Sequence, residues 1–402
     1  MSANAHASPP GSFQGTSHGP VTDPIRVMVV DDSVVVRGLV GRWIDEDPGL
    51  AVVASHRNGK LAVEDITRAD PDVVVLDIEM PDMDGLTALP LMLAKKPGLI
   101  VLIASTLSRR NAEISLKALS LGAADYIPKP DGNSRLTTST EFRADLIAKV
   151  QSLGARARSR SRRAAAPPVS SRPFTATRTL EAAGMVPAQS AVPAKPKASF
   201  TLRSYAPVRP RVLTIGSSTG GPQALNAFFG HVGTAMAQVP VLLTQHMPAT
   251  FTAILAEHLS KAAGRPAAEG RDGEPVLPGR IYVAPGGRHM IVARQGSETV
   301  IRLTDGPPVN FCKPAVDPLF KSVVDIYGSA TLGVILTGMG SDGADGVTAI
   351  GQAGGNVITQ DEETSVVWGM PGAAAHTGMC ADVLPLDEVG RKVARILLGS
   401  RI

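Results

Sequence analysis

Cysteine is nearly missing from this sequence, with Cys312 and Cys380 the only two in 402 residues. Two thiols so far apart form neither a disulfide framework nor a metal-ligand pattern, so both read as free thiols in a reducing compartment, and a cytoplasmic location is expected. No stretch approaches the uninterrupted apolar run of a membrane span, so no membrane insertion is expected. The first 24 residues are rich in Ser, Gly, Pro and Ala but lack an apolar core. That excludes a secretory signal peptide and predicts a disordered leader over residues 1–24. Acids are almost absent between 154 and 210, where eleven Lys or Arg face only Glu181. Since the whole chain is +4, everything outside that segment sums to −6. The pI of 9.1 therefore belongs to a spacer, and the folded parts are acidic. Arg156, Arg158, Arg160, Arg162 and Arg163 alternate with small residues before Pro, Ala and Ser take over. Without periodicity, aromatic interleaving or a reading helix, residues 151–210 read as a flexible basic linker, and no nucleic-acid partner is expected.

What is present fits two folded parts, and 44% hydrophobic content permits sizeable cores. One stretch organises the second part. Val212 to Ile215 is a short β-branched apolar run, and Gly216-Ser217-Ser218-Thr219-Gly220 follows it as G-x-S-x-G. Pro222 suits the first turn of a helix. A strand–turn–helix of this kind lifts the Ser218 hydroxyl above a sheet, where the helix N-terminus directs free N–H groups. It is neither common nucleotide loop, because Pro222 stands where a phosphate loop needs Lys and Ser218 where a dinucleotide fingerprint needs Gly.

Residues 25–152 alternate strand and helix patterns. Strands are expected at Ile25–Val30, Leu50–Ala54, Val73–Leu76, Leu99–Ala104 and around Tyr126–Ile127, with helices such as Val34–Asp45 and Asn111–Leu121 between them. Five such strands imply a doubly wound parallel sheet with its chemistry at the carboxyl ends. Asp31 and Asp32 follow the first strand, Asp77 the third, Ser105 the fourth, and Lys129 the fifth. Three carboxylates would repel one another unless a hard cation joined them, and oxygen ligands favour Mg²⁺. A carboxylate beside Mg²⁺ and Lys can accept a phosphoryl group. These residues resemble the receiver domain of a two-component response regulator over 25–150. The resemblance implies that Asp77 is the phosphoacceptor and that Asp31 and Asp32 hold Mg²⁺ with the Glu79 carbonyl. It also implies that Lys129 pairs with the phosphoryl group, Ser105 is the switch hydroxyl and Tyr126 the switch aromatic.

A second α/β alternation runs from 211 to 399, with strands expected at Val239–Thr244, Ile281–Ala284, Leu332–Thr337 and Asn356–Thr359, and a last helix near Glu388–Leu398. A nucleophilic Ser needs a base, and the base an orienting acid. Of eight His residues, His6 and His18 lie in the leader and His56 in the first domain. His258 lies inside a helix pattern, His231 at a helix end and His376 in a Gly/Ala stretch. His289 precedes a strand-like run, at its wrong end. His246 alone caps the carboxyl end of a buried strand and is the best base. Asp342, at the end of Leu332–Thr337, is the expected acid, with Asp345 the near alternative and Asp317 a weaker one. The surrounding glycines would let backbone N–H groups form an oxyanion hole.

Both halves together resemble the chemotaxis protein-glutamate methylesterases. The shared marks are Ile215-Gly216-Ser217-Ser218-Thr219-Gly220-Gly221, Thr244-Gln245-His246-Met247-Pro248, Asp305-Gly306-Pro307-Pro308-Val309-Asn310, Leu336-Thr337-Gly338-Met339-Gly340-Ser341-Asp342-Gly343 and Gly369-Met370-Pro371. Ser217 stands where a small residue, often Ala, is usual. The resemblance implies a flavodoxin-like receiver and an α/β esterase domain over 211–402. It implies a triad of Ser218, His246 and Asp342 with the Met339 N–H in the oxyanion hole, and no cofactor in the esterase half. Methyl-accepting chemoreceptors would be the substrates and a chemotaxis histidine kinase the phosphodonor. A docking protein without esterase chemistry, and a DNA-binding regulator using the basic linker, are the rival readings.

Overall fold

The computed structural model describes residues 23–130, 139–165 and 200–399. His6, His18, nearly all of the expected leader and linker residues 166–199 lie outside the described residues.

The first domain is a five-stranded parallel sheet in the order β2-β1-β3-β4-β5. Its strands are β1 (Ile25–Val30), β2 (Leu50–His56), β3 (Val73–Asp77), β4 (Ile100–Thr106) and β5 (Asp125–Lys129). β3 reads Val-Val-Val-Leu-Asp and is buried throughout, as a strand covered on both faces must be. Four helices follow β1 to β4: α1 (Val34–Asp45), α2 (Gly59–Ala69), α3 (Gly85–Lys95) and α4 (Arg109–Ser120). Each starts on a side-chain cap, Ser33, Asn58, Asp84 and Ser108 respectively, which accepts from a first-turn N–H. The chain reverses direction between β1 and β3, and Asp31 and Asp77 stand at that switch point.

The expected domain boundary at 150/151 falls inside a helix. α5 spans Thr140–Ala165 and buries Phe142, Leu146, Val150, Leu153 and Ala157 in the core of the first domain. The apolar face continues at helical spacing to Ala157, but it ends on Gly154 and on Ala157 between two arginines, which conceals it along the chain. Arg158 pairs with Asp72 at 3.1 Å and also bonds the Asp23 and Pro24 carbonyls. At the other end, residues 200–210 were expected in the linker but lie on the second domain. Tyr205 Oη donates to Asp382 at 2.6 Å, and Ala206 exchanges two bonds with the Asn356 amide.

The second domain holds a seven-stranded parallel sheet in the order β14-β13-β12-β6-β7-β9-β8. These are β6 (Val212–Ser217), β7 (Val241–Gln245), β8 (Ala267–Glu269), β9 (Ile281–Val283), β12 (Thr331–Ile335), β13 (Asn356–Gln360) and β14 (Asp382–Leu384). An antiparallel hairpin of β10 (His289–Gln295) and β11 (Glu298–Thr304) stands apart from that sheet. Helices α6 (Gly221–Val232), α7 (Ala249–Ala263), α8 (Val316–Tyr327), α9 (Ala344–Gln352), α10 (Gly369–His376) and α11 (Leu386–Leu397) complete the domain. β6 is flanked by β7, next in sequence, and by β12, more than a hundred residues on. The switch point therefore lies at the end of β6.

The two domains touch. Tyr126 stacks on Phe251 of α7, Gln223 Nε2 of α6 donates to the Ala123 carbonyl at 2.7 Å, and Arg109 pairs with Glu257 at 3.2 Å. Further along, Arg156 reaches the carbonyls of Glu362 and Glu363, and Val366 and Val367 pack on the first domain's apolar cluster. Among the described residues, no helix is long and apolar enough to cross a membrane.

Candidate active site

Ser218 is the first residue past β6. Its N–H donates to the Thr337 carbonyl at 3.0 Å, and its own carbonyl accepts from Gly221 N–H and from Gln245 Nε2. Gly220 takes the left-handed conformation at φ 74° to open α6, and a Cβ there would meet the Val366 side chain at 2.5 Å. The β12 loop crosses directly over the serine. A Cβ on Gly338 would sit 2.9 Å from Ser218 Cβ and 2.4 Å from Met370 Sδ, so the crossing requires glycine. Among the described residues the Met339 N–H, next along this loop, has no hydrogen-bond partner.

Strand register brings the histidine alongside. Ser217 pairs with Gln245 across β6 and β7, and His246 N–H donates to the Ser217 carbonyl at 3.1 Å. Ser217 also donates its hydroxyl to Gln245 Oε1 at 2.7 Å, so this position ties the two strand ends together.

The acid comes from across the sheet. Asp342 Oδ2 accepts from His246 Nε2 at 2.8 Å and from Val316 N–H at 2.6 Å. Its Oδ1 accepts from Asp317 N–H and from Asn310 Nδ2, both at 3.2 Å. Burial alone would raise the Asp342 carboxyl, but the His246 bond and the α8 N–H groups outweigh it and hold the pKa below the usual range. His246 is 11% exposed. Burial opposes its charge, and its bonds to Asp342 and Cys312 outweigh that, carrying the pKa up to about 9.

The two alternative acids separate clearly. Asp345 is exposed and pairs with Lys321 at 3.1 Å, away from His246. Asp317 is buried, accepts from Gly346 N–H at 2.7 Å and from Asn310 Nδ2 at 3.0 Å, and its pKa is pushed to about 6 by burial and by the charge on Asp342. It supports the acid and does not touch the histidine. The other described histidines have structural partners: His56 with Asp65, His231 with Asp387, His376 with the Gly372 carbonyl, and His289 between Pro307 O and Ala315 N. His258 lies on α7 with its pKa lowered by burial.

Three residues of the site escaped sequence reasoning. Gln245 joins Ser217 to Ser218, Asn310 bridges Asp317 and Asp342, and Cys312 Sγ lies 3.3 Å from His246 Nδ1. Gln245 adjoins the histidine and could have been suspected. Asn310 and Cys312 come from a loop more than sixty residues past His246; Asn310 stands in one of the shared motifs but had no role assigned, and Cys312 carries no local signal. Among the described residues Ser218 Oγ makes no hydrogen bond, so the nitrogen not held by Asp342 faces the thiol. The site combines a polarised imidazole, a half-buried serine at the neighbouring strand end and a free N–H, the parts needed for acyl transfer.

The carboxylate cluster of the first domain is equally compact. Carboxylate oxygens of Asp31, Asp32 and Asp77 lie within 4.8 Å of one another. Lys129 Nζ reaches Asp77 Oδ1 at 2.7 Å and Asp31 Oδ2 at 3.2 Å. Burial pushes Asp77 up to about 6 despite the lysine. Two buried carboxylates and a third at the rim, with one ammonium among them, leave negative charge on hard oxygen donors, which fits a small divalent cation. Glu79 lies two residues past Asp77. Ser105 is buried at the end of β4, with long contacts of 3.4 and 3.5 Å to the Thr106 and Asn111 carbonyls.

Residues 213–393 match the family model described as CheB methylesterase, and residues 27–141 that of the response regulator receiver domain. The chain is 56% identical over 379 residues to a protein of Rhodopseudomonas palustris (strain HaA2) named protein-glutamate methylesterase/protein-glutamine glutaminase, covering 94% of this chain and 96% of that one. A protein of the same name, of group 2 operon, from Bradyrhizobium diazoefficiens is 57% identical over 380 residues, covering 94% and 95%. Among solved structures, the Thermotoga maritima CheB methylesterase catalytic domain is 37% identical and covers 47% of this chain and all of that one, with a TM-score of 0.45.

Proposed function

The chain belongs to the protein-glutamate methylesterase/protein-glutamine glutaminase family, and from that premise we propose how its residues divide the work. The enzyme hydrolyses glutamyl methyl esters on chemoreceptors to glutamate and methanol, deamidates receptor glutamines, and is regulated through its receiver.

Ser218 is the nucleophile, His246 the base and Asp342 the orienting acid. Because Asp342 holds Nε2, the nitrogen that accepts the serine proton is Nδ1, and the Ser218 hydroxyl takes the place the Cys312 thiol fills at rest. As Oγ bonds to the ester carbonyl carbon, the proton passes to Nδ1 and negative charge grows on the carbonyl oxygen. The Met339 N–H and the start of α6 steady that charge. His246 then gives the proton to the departing methoxide, releasing methanol, and water attacks the acyl-serine by the same route. With an amide substrate the leaving group is ammonia. The 2.8 Å bond between His246 and Asp342, at the strand ends flanking Ser218, is the observation that carries this reading.

In the receiver, Asp77 is the phosphoacceptor. Asp31, Asp32, Asp77 and the Glu79 carbonyl would hold Mg²⁺, which when bound neutralises phosphoryl oxygens. Lys129 pairs with the same oxygens, and Ser105 and Tyr126 respond to them. A chemotaxis histidine kinase is the phosphodonor, and the setting is cytoplasmic. While Asp77 is unphosphorylated, the receiver docked on α6, α7 and the Val366–Val367 segment restrains the esterase.

Methanol release from methylated receptors, with and without a phosphodonor, tests the whole reading. Ser218→Ala should release none while Asp77 still accepts phosphate. Asp77→Asn should keep the basal rate and lose the activation. An unaltered rate in Ser218→Ala would exclude the assigned nucleophile, and no methanol from the unsubstituted protein would favour a docking protein.

A further inference from the structure

Phe311 stands fully exposed to solvent at 104%, on backbone that a phenylalanine rarely adopts. Val309 and Cys312 exchange both backbone hydrogen bonds, at 3.1 and 2.9 Å, and close a two-residue hairpin. The residues between them, Asn310 and Phe311, have φ of 51° and 63°. That is the φ pattern of a type I′ turn, whose usual sequence is Asn-Gly. Asn310 fits its position. Phe311 occupies the glycine position, where a bulky side chain is strained and gains nothing from burial.

The turn is not a loose tip. Asn310 bonds Asp342 and Asp317, Cys312 contacts His246, and His289 clamps both flanks through Pro307 O and Ala315 N. The ring is therefore presented from a rigid mount whose two neighbours touch the acid and the base. Strain maintained beside a reactive centre calls for a functional gain that offsets it.

We propose that Phe311 anchors the protein substrate, packing on an apolar patch of its surface beside the glutamyl side chain being cleaved. This rests on the esterase reading and extends it. The occupant follows from position. A side chain that delivers its carbonyl to Ser218 and His246 brings the surface it projects from across the adjoining turn, and an aromatic ring there can be buried only by that surface. Phe311 thus acts on recognition of the macromolecule and not on the acyl chemistry.

The test compares a methylated chemoreceptor with a short peptide carrying one glutamyl γ-methyl ester, in the full chain with phosphodonor. In Phe311→Gly and Phe311→Ala, kcat/KM for the receptor should fall about tenfold or more, through KM, relative to kcat/KM for the peptide. Phe311→Gly relieves the turn, so its melting temperature should hold or rise, and the loss cannot then be assigned to misfolding. Equal changes for the two substrates, including no change in either, would overturn the proposal. If the unsubstituted protein releases methanol from neither substrate, the esterase reading falls and takes the proposal with it.

Discussion

Tyr126 and Phe251 stack face to face across the domain boundary, with ring centroids 4.4 Å apart and planes 9° from parallel. Tyr126 lies at the start of the receiver's last strand, which ends at Lys129, and Phe251 lies in the first turn of the helix that follows His246. One contact thus joins the strand carrying Lys129 to the helix that follows His246.

Tyr126→Ala should loosen that docking. An aromatic pair contributes about 0.5–1.5 kcal/mol beyond its buried area, or roughly two- to tenfold in the docked population. Methanol release without phosphodonor should rise by that factor. No rise, in a protein whose receiver still accepts phosphate, would remove the stack from the inhibitory interface.

Salt should matter little to the same equilibrium. Arg109 and Glu257 form an ion pair between the domains, and their side chains are 67% and 56% exposed, so screening it costs under about 1 kcal/mol. Arg158 is engaged with the receiver's own Asp72. Raising ionic strength, or replacing Arg158 with alanine, should therefore change basal turnover by less than about fivefold. A much larger rise in Arg158→Ala would place that side chain in the inhibitory contact, beside Arg156, which already reaches the Glu362 and Glu363 carbonyls.

Asp342→Asn should lower ester hydrolysis by roughly 10³–10⁴-fold, because the amide cannot hold the required tautomer. Asp345→Asn should stay near the parent rate, since that carboxylate faces Lys321 and solvent. Asn310→Ala removes one of four bonds orienting Asp342 and should fall between them. Steady-state methanol assays would order the three, and a reversed order of the two aspartates would mean the acid is misassigned.

The pH profile should report the thiol. Burial works against the charge on His246, but Asp342 and Cys312 outweigh it and bring the pKa to about 9. The base must be neutral to act, so kcat/KM should climb with pH toward about 9. Cys312→Ala removes one of the two bonds favouring the proton, so the limb should shift to lower pH and activity at neutral pH should rise. An unmoved limb would show that Cys312 does not control the titration of His246.

Much of this protein was legible along the chain because it resides in local order. Strand runs such as Val73–Leu76 need burial on both faces, and chemistry in such sheets gathers at carboxyl ends, so Asp77, Ser218 and His246 could be located from the strands before them. Glycines at 220 and 338 marked where backbone had to pass close. Helix α5 is not legible past residue 150 because Gly154 and the arginine-flanked Ala157 carry little hydrophobic signal and become core only against the receiver sheet.

Residue types and order alone determined two parallel α/β domains, an acidic cluster with a lysine at the carboxyl ends of one sheet, and a serine at a strand–helix turn. Only the tertiary structure decided which aspartate meets His246, that Asn310 and Cys312 enter the site, and that Tyr126 finds Phe251. The reason is physical. Strand and helix periodicities act between residues a few positions apart, whereas these contacts join segments tens to more than a hundred residues apart, whose meeting depends on sheet order and domain docking.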